Sequence, residues 1–177
     1  MLSCKISSDT REALVKNIAI VVTMLAITIT SCGPKDDIVA EKAVLRGVVD
    51  SLEIAFETNS IDILAGVFSH GSDNVFFGTD SAERWVGYDR FIEAHRRVFA
   101  SIEKGSQITS REIAVGIDKT GDAAWISFLM DWKGKSQGQA FSFEGLRFTA
   151  VLEKQNGKWE IVHFHGSVPV SGQAVRY

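Results

Sequence analysis

Asn156-Gly157 sits between two runs of strand-like residues, 141–152 and 159–168. Both positions tolerate the positive φ of a two-residue turn, so the pair predicts a tight hairpin. The same punctuation recurs upstream. Residues 108–117 and 124–132 flank Gly121-Asp122, and a polar loop around Gly134 to Gly138 leads into the run at 141. Four strands joined by successive hairpins require an antiparallel sheet with at least one apolar face to cover.

The cover lies ahead of the strands. From residue 38 to about 58, Leu45, Val48, Leu52, Ala55 and Phe56 recur at three- and four-residue spacing, which predicts an amphipathic helix. Asn59-Ser60-Ile61-Asp62 offers a cap for a second, shorter helix whose apolar face is Ile61, Leu64, Val67 and Phe68. A short strand follows at 74–78. A third helix is expected from Asp89, as its cap, to Gly105, with Phe91, Ile92, His95, Val98, Phe99 and Ile102 on its buried side. Helices gathered before a sheet define an α+β class. Three helices on a strongly curved antiparallel sheet make a cone open at one end, a shape suited to a small ligand.

Residues 1–17 carry Lys5, Arg11 and Lys16, and an apolar run at 18–29 follows. About a dozen residues reach only about 18 Å as a helix, short of a hydrocarbon core of about 30 Å. The pattern therefore reads as a secretory signal rather than a membrane span. Ile29-Thr30-Ser31-Cys32-Gly33 resembles the lipobox of bacterial lipoproteins. That resemblance implies lipid attachment at Cys32, membrane anchoring through the N-terminal lipid, and a place in the bacterial cell envelope. Gly33 in place of Asp implies outer-membrane sorting, with the domain facing the periplasm. The expected organisation is a signal peptide at 1–31, a tether at 32–37, one α+β domain at 38–170 and a C-terminal tail at 171–177.

Composition excludes several classes. The net charge is −3, with residues 1–31 at +1 and the remainder near −4, so the domain has no electrostatic reason to hold a phosphate backbone. The one basic cluster, Arg96-Arg97, reads as a solvated helix face. The only cysteines are Cys4 and Cys32, so the domain has no disulfide and no thiolate metal site. No Gly-x-Ser-x-Gly elbow or glycine-rich phosphate loop occurs.

Gly78-Thr79-Asp80, Glu83, Trp85 and Gly87 ahead of the third helix resemble the SnoaL-like branch of the nuclear transport factor two-like superfamily. So do residues 147–152 before the last hairpin and 159–167 after it. The resemblance covers roughly residues 41–169 and implies the cone-shaped roll also described as cystatin-like or ketosteroid isomerase-like. It leaves activity open, because this scaffold hosts isomerases, cyclases, dehydratases and non-enzymatic domains.

Period-two alternation places Trp159, Ile161, His163, His165 and Ser167 on one face of the last strand. It groups Phe143, Arg147, Thr149 and Val151 on the preceding strand, and Trp125, Ser127, Leu129 and Asp131 on the second. Alternation does not say which face is concave; the resemblance implies that these sets line the cavity. On that reading His163, His165 and Asp131 are the candidates for acid–base work. Arg147 is the anion-binding candidate, and Trp85, Trp125, Thr149 and Phe143 complete the ligand contacts. The bland alternative makes the histidines core groups and pairs Arg147 with Asp131 or Glu144. The His-x-His spacing admits a metal reading with His95, Glu144 or Asp131 as third ligand, but no spacing rule supports it, so neither metal nor cofactor is expected. His95 itself reads as a core histidine.

The opposite face of the second strand, with Ile126, Phe128, Met130 and Trp132, is expected to form an outer apolar patch. Two subunits pairing through the sheet would cover it as a homodimer. Binding of a small apolar or amphipathic molecule ranks ahead of isomerase, cyclase or dehydratase chemistry. A purely structural assembly role comes third, and a cavity filled by aromatic side chains would favour it.

Overall fold

A computed structural model describes residues 34–172, with side chains from residue 37 onward. The expected signal peptide, Cys32 and most of the C-terminal tail lie outside the described residues. Helix α1, Pro34–Thr58, begins inside the stretch expected to be a tether, and α2, Ile61–Ala65, follows it. Strands β1, Val75–Phe77, and β2, Arg84–Val86, form a small hairpin before α3, Tyr88–Ser101. The long strands are β3, Gln107–Ile117, β4, Ala123–Ser136, β5, Gln139–Gln155, and β6, Lys158–Ser167. All six join one sheet in the order β2-β1-β6-β5-β4-β3. Among the described residues, no helix is long and apolar enough to cross a membrane.

The helix-then-sheet architecture is the expected one, with two additions. The three-residue strand β2 carries too few residues to show a period. The pairing of β1 with β6 is parallel, so the sheet is not purely antiparallel. Ser60 caps α2 as expected, its hydroxyl accepting from the Ile63 N–H at 3.4 Å. Asp89 does not cap α3. Gly87 occupies that position at φ 89°, and Asp89 lies in the first turn, where its charge favours the helix dipole.

The core lies between the helices and one face of the sheet. Leu45, Val48, Val49, Leu52 and Ala55 form the buried stripe of α1; Phe91, Ile92 and Phe99 form that of α3. Facing them are Ile126, Phe128 and Met130 on β4, Leu146, Ala150 and Leu152 on β5, and Trp159, Ile161 and Phe164 on β6. Polar contacts fix α1 across the sheet. Near one end Glu41 accepts hydrogen bonds from Lys154 Nζ and Trp159 Nε1. Further along, Glu53 and Glu57 accept from the backbone N–H groups of Ser110 and Ile108. Strand β3 is an edge of the sheet, and these two carboxylates occupy donors that would otherwise invite another strand.

Three bulges set the curvature. Two residues, Glu112 and Ile113, oppose Phe128 between the Arg111–Leu129 and Ala114–Ser127 pairs. Glu144 and Gly145 oppose Asp131 between Met130–Leu146 and Trp132–Phe143. Val162 is the extra residue of β6, between Leu152–Ile161 and Val151–His163. An inserted residue bends its strand, increases the twist, and moves every later side chain to the other face.

The middle bulge has its own fastening. Gly145 sits at φ 67°, and its N–H donates to Asp131 Oδ1 at 2.7 Å. Side-chain space exists there, since the nearest atoms to an added Cβ would be Arg111 at 3.6 Å and Pro169 at 3.9 Å. Gly145→Ala should therefore cost only the left-handed backbone, about 1–2 kcal/mol. Urea unfolding of the two proteins measures it; equal midpoints would show that the bulge does not require a glycine.

Candidate functional site

An apolar cavity of about 100 Å³ lies between α1, α3 and the inner face of the sheet. Helix α1 contributes Leu52 and Phe56, and α3 contributes Phe91, His95 and Val98. The sheet supplies Met130, Trp132, Phe143, Leu146, Phe148 and Phe164. The β1–β2 connection closes one side with Gly78, Thr79 and Glu83, and Trp85 follows on β2.

That connection holds itself in place. Gly78 N–H donates to Glu83 O at 2.9 Å, Asp80 N–H to Glu83 Oε2 at 3.0 Å, and Ala82 N–H to Asp80 Oδ1 at 2.9 Å. Gly78 allows a close approach, because a Cβ there would lie 2.8 Å from Glu83 Cβ, which side-chain rotation cannot move. Glu83 is thereby held at the cavity wall by the turn that carries it.

His95 is set among aromatic rings. Phe91 lies at 4.1 Å between centroids, Trp85 at 5.5 Å, Phe56 at 6.0 Å and Phe99 at 6.3 Å. Its Nδ1 is 2.9 Å from Phe91 O, one helical turn back. Burial holds the imidazole pKa below its usual value, opposed by the Phe91 hydrogen bond and the Glu83 charge. The ring therefore rests in the neutral form at pH 7. Trp132 packs edge-on to Phe56 and Phe141, each at 5.2 Å, and its indole N–H is buried without an acceptor among the described residues.

The residues expected in the cavity divide sharply. Trp85 and Phe143 line it. His163, His165, Asp131, Arg147, Thr149 and Trp125 lie on the other side of the sheet. On β6 the insertion of Val162 turns His163 and His165 outward and brings Phe164 inward, although Trp159 and Ile161 upstream do face the core. His163 Nδ1 is 2.7 Å from Val75 O, and the exposed His165 ring lies 5.7 Å from Phe77. On β4, and on β5 beyond the Glu144-Gly145 bulge, the assignment is inverted, while Phe143 ahead of that bulge keeps the inner face. Ile126, Phe128 and Met130, expected as an outer patch, are core, so the reason given for subunit pairing is not found in that row.

Trp125 is 55% exposed and covers Gly116 on β3. Arg147 and Thr149 are exposed on β5. Asp131 accepts from Gly145 N–H and Arg111, which hold its carboxyl below the usual range, Gly145 first. A base poised by a raised pKa is the opposite of that arrangement. Asp131 fastens the bulge. Its ion-pair partner is Arg111, at 3.2 Å, and Glu144 pairs with Lys133 at 3.6 Å.

The functional candidates that the sequence reading missed are His95, taken as a core group, and Glu83. A signal for His95 was present: it lies one helical turn from both Phe91 and Phe99 on the buried side of an amphipathic helix, the one ionisable residue of that stripe.

Over residues 45–171 the sequence matches the SnoaL-like domain, and the chain belongs to that family. Among curated proteins none matches. A nuclear transport factor 2-like superfamily protein from Salmonella enterica serovar Typhimurium superposes with a TM-score of 0.68 at 17% identity, over 78% of this chain and 98% of that one. A candidate scytalone dehydratase from Novosphingobium aromaticivorans gives 0.67 at 12% identity, over 80% and 93%. A candidate aromatic ring hydroxylase from the same species gives 0.64 at 21% identity, over 76% and 94%. At these identities the likeness establishes the shared fold.

The depressed pKa of His95 has a definite sign in stability. Below about pH 6.5 the unfolded ring takes up a proton that the folded one resists. Stability is therefore complete above that pH and falls as pH drops toward the folded pKa. His95→Phe should lack this component, so wild type should lose stability relative to the variant between pH 7 and 5. Parallel pH profiles in chemical denaturation would contradict the assignment.

Proposed function

We propose that this SnoaL-like domain binds a small, mostly apolar molecule in the cavity between its helices and sheet, and that it is exported and lipid-anchored through Cys32. The observation that carries the binding half is the cavity itself. Its wall is almost wholly aromatic and aliphatic, broken by His95, Glu83 and Thr79. Such a wall with a few converging polar groups is the common form of a small-molecule site. Apolar space of this kind gains little from water and favours an apolar guest.

An isomerase, cyclase or dehydratase activity is the second reading. One observation favours it: a neutral imidazole at the cavity wall, with a carboxylate nearby, is the equipment of general acid–base catalysis. The name of one structural neighbour, a candidate scytalone dehydratase, points the same way. Binding ranks first because it needs only the cavity, whereas catalysis needs a reacting bond placed against His95. Neither reading now involves His163, His165 or Arg147, which stand outside the cavity.

Native mass spectrometry of the protein purified from its own host tests the binding proposal. Wild type should retain a small molecule that leaves on denaturation, and Val98→Phe, which fills the cavity, should emerge empty. The same load on both proteins would place the ligand elsewhere. The anchoring proposal is tested separately by detergent phase partition. Cys32→Ser should move the protein from the detergent to the aqueous phase, and an unchanged partition would refute lipid attachment there.

A further inference from the structure

We infer that His95 Nε2 is the hydrogen-bond acceptor that selects the cavity's guest, and that the preferred guest is a neutral, single-ring molecule offering a hydroxyl hydrogen. The inference rests on the cavity-binding reading above and narrows its ligand class. The tautomer comes first. Nδ1 lies 2.9 Å from the Phe91 carbonyl oxygen, which only accepts, so Nδ1 carries the ring hydrogen. A neutral imidazole has one such hydrogen, and Nε2 is left with its lone pair. Nε2 has no hydrogen-bond partner among the described residues and is not one of the sealed, unpartnered buried atoms, and its ring lines the cavity.

The charges around that nitrogen define what it meets. His95 on α3 and Glu83 before β2 are the only titratable groups lining the cavity among the described residues; α1, β4, β5 and β6 contribute none. No lysine or arginine reaches the wall to neutralise an anion, and the Glu83 carboxylate opposes one. A carboxylated guest is therefore disfavoured twice, by desolvation and by repulsion. A methyl ether fits the apolar wall but leaves Nε2 unpaired. A hydroxyl satisfies it. Size supplies the last limit: about 100 Å³ is close to the roughly 150 Å³ of a dry apolar cavity that takes up benzene, so one ring is the natural load.

Three matched probes test this by calorimetry on the whole mature protein: p-cresol, 4-methylanisole and p-toluate. Wild type should bind p-cresol about tenfold more tightly than 4-methylanisole, the scale expected for one buried hydrogen bond made or lost. It should bind p-toluate more weakly than p-cresol. In His95→Phe, which keeps an aromatic ring among Phe56, Phe91 and Phe99, the two neutral probes should bind alike. A second readout needs no variant. Long-range proton–nitrogen NMR of the wild-type imidazole should show an unprotonated Nε2 whose resonance moves when p-cresol is added and stays when 4-methylanisole is. Equal affinities for all three probes, a preference for p-toluate, a hydroxyl preference that survives His95→Phe, or an unmoved Nε2 resonance would each overturn the inference while leaving the cavity reading intact. Failure of all three probes to bind would overturn both.

Discussion

Each long sheet pairing loses its regular register at one place, and the depth of the cavity depends on those places. A ladder without bulges would twist but remain open, and the helices would then pack flat against it with no space between. The bulges at Glu112-Ile113, Glu144-Gly145 and Val162 bend the sheet around α1 and α3. They also decide which side chains look inward. Gly145 accepts a left-handed backbone, and the Asp131 carboxylate holds its N–H; together they convert an irregularity into a fixed corner.

The helices and the four long strands were legible in the sequence because hydrophobic period, the Asn156-Gly157 turn and the Ser60 cap are local signals. The faces were not, for two different reasons. On β6 no local signal marks Val162 as inserted, and period-two counting carried past it exchanges His163 for Phe164. On β4 and β5 the signal existed and was outweighed. Ile126, Phe128 and Met130, with Leu146, Ala150 and Leu152, form the more apolar set, and burial of apolar area dominates the energy of a sheet face. Ser127, Asp131, Arg147 and Thr149 alternate with them. The family resemblance implied that the polar set faces inward, and the transfer free energy of the apolar set outweighs it. Trp85 and Phe143 were placed rightly.

The inverted faces move the candidate functional groups from the C-terminal strand to the third helix. His163 and His165 look functional by their spacing, yet one donates to the backbone of β1 and the other is exposed. His95 looks like a core residue by its pattern, yet the core around it is incomplete. The same aromatic neighbours that lower its pKa form the wall of the space it faces. One packing arrangement thus creates the cavity, keeps its imidazole neutral, and leaves an accepting nitrogen in a wall whose other polar side chains are Glu83 and Thr79.

On the proposed reading this inner space is open to a guest, and the outer sheet face carrying the two C-terminal histidines is not the binding surface. Xenon has no hydrogen bonds to make and occupies apolar cavities by size alone. A crystal of the protein held under xenon pressure should show an ordered atom among Phe56, His95, Val98 and Met130. An unoccupied interior, or xenon found only beside Trp125 and His163, would contradict the account.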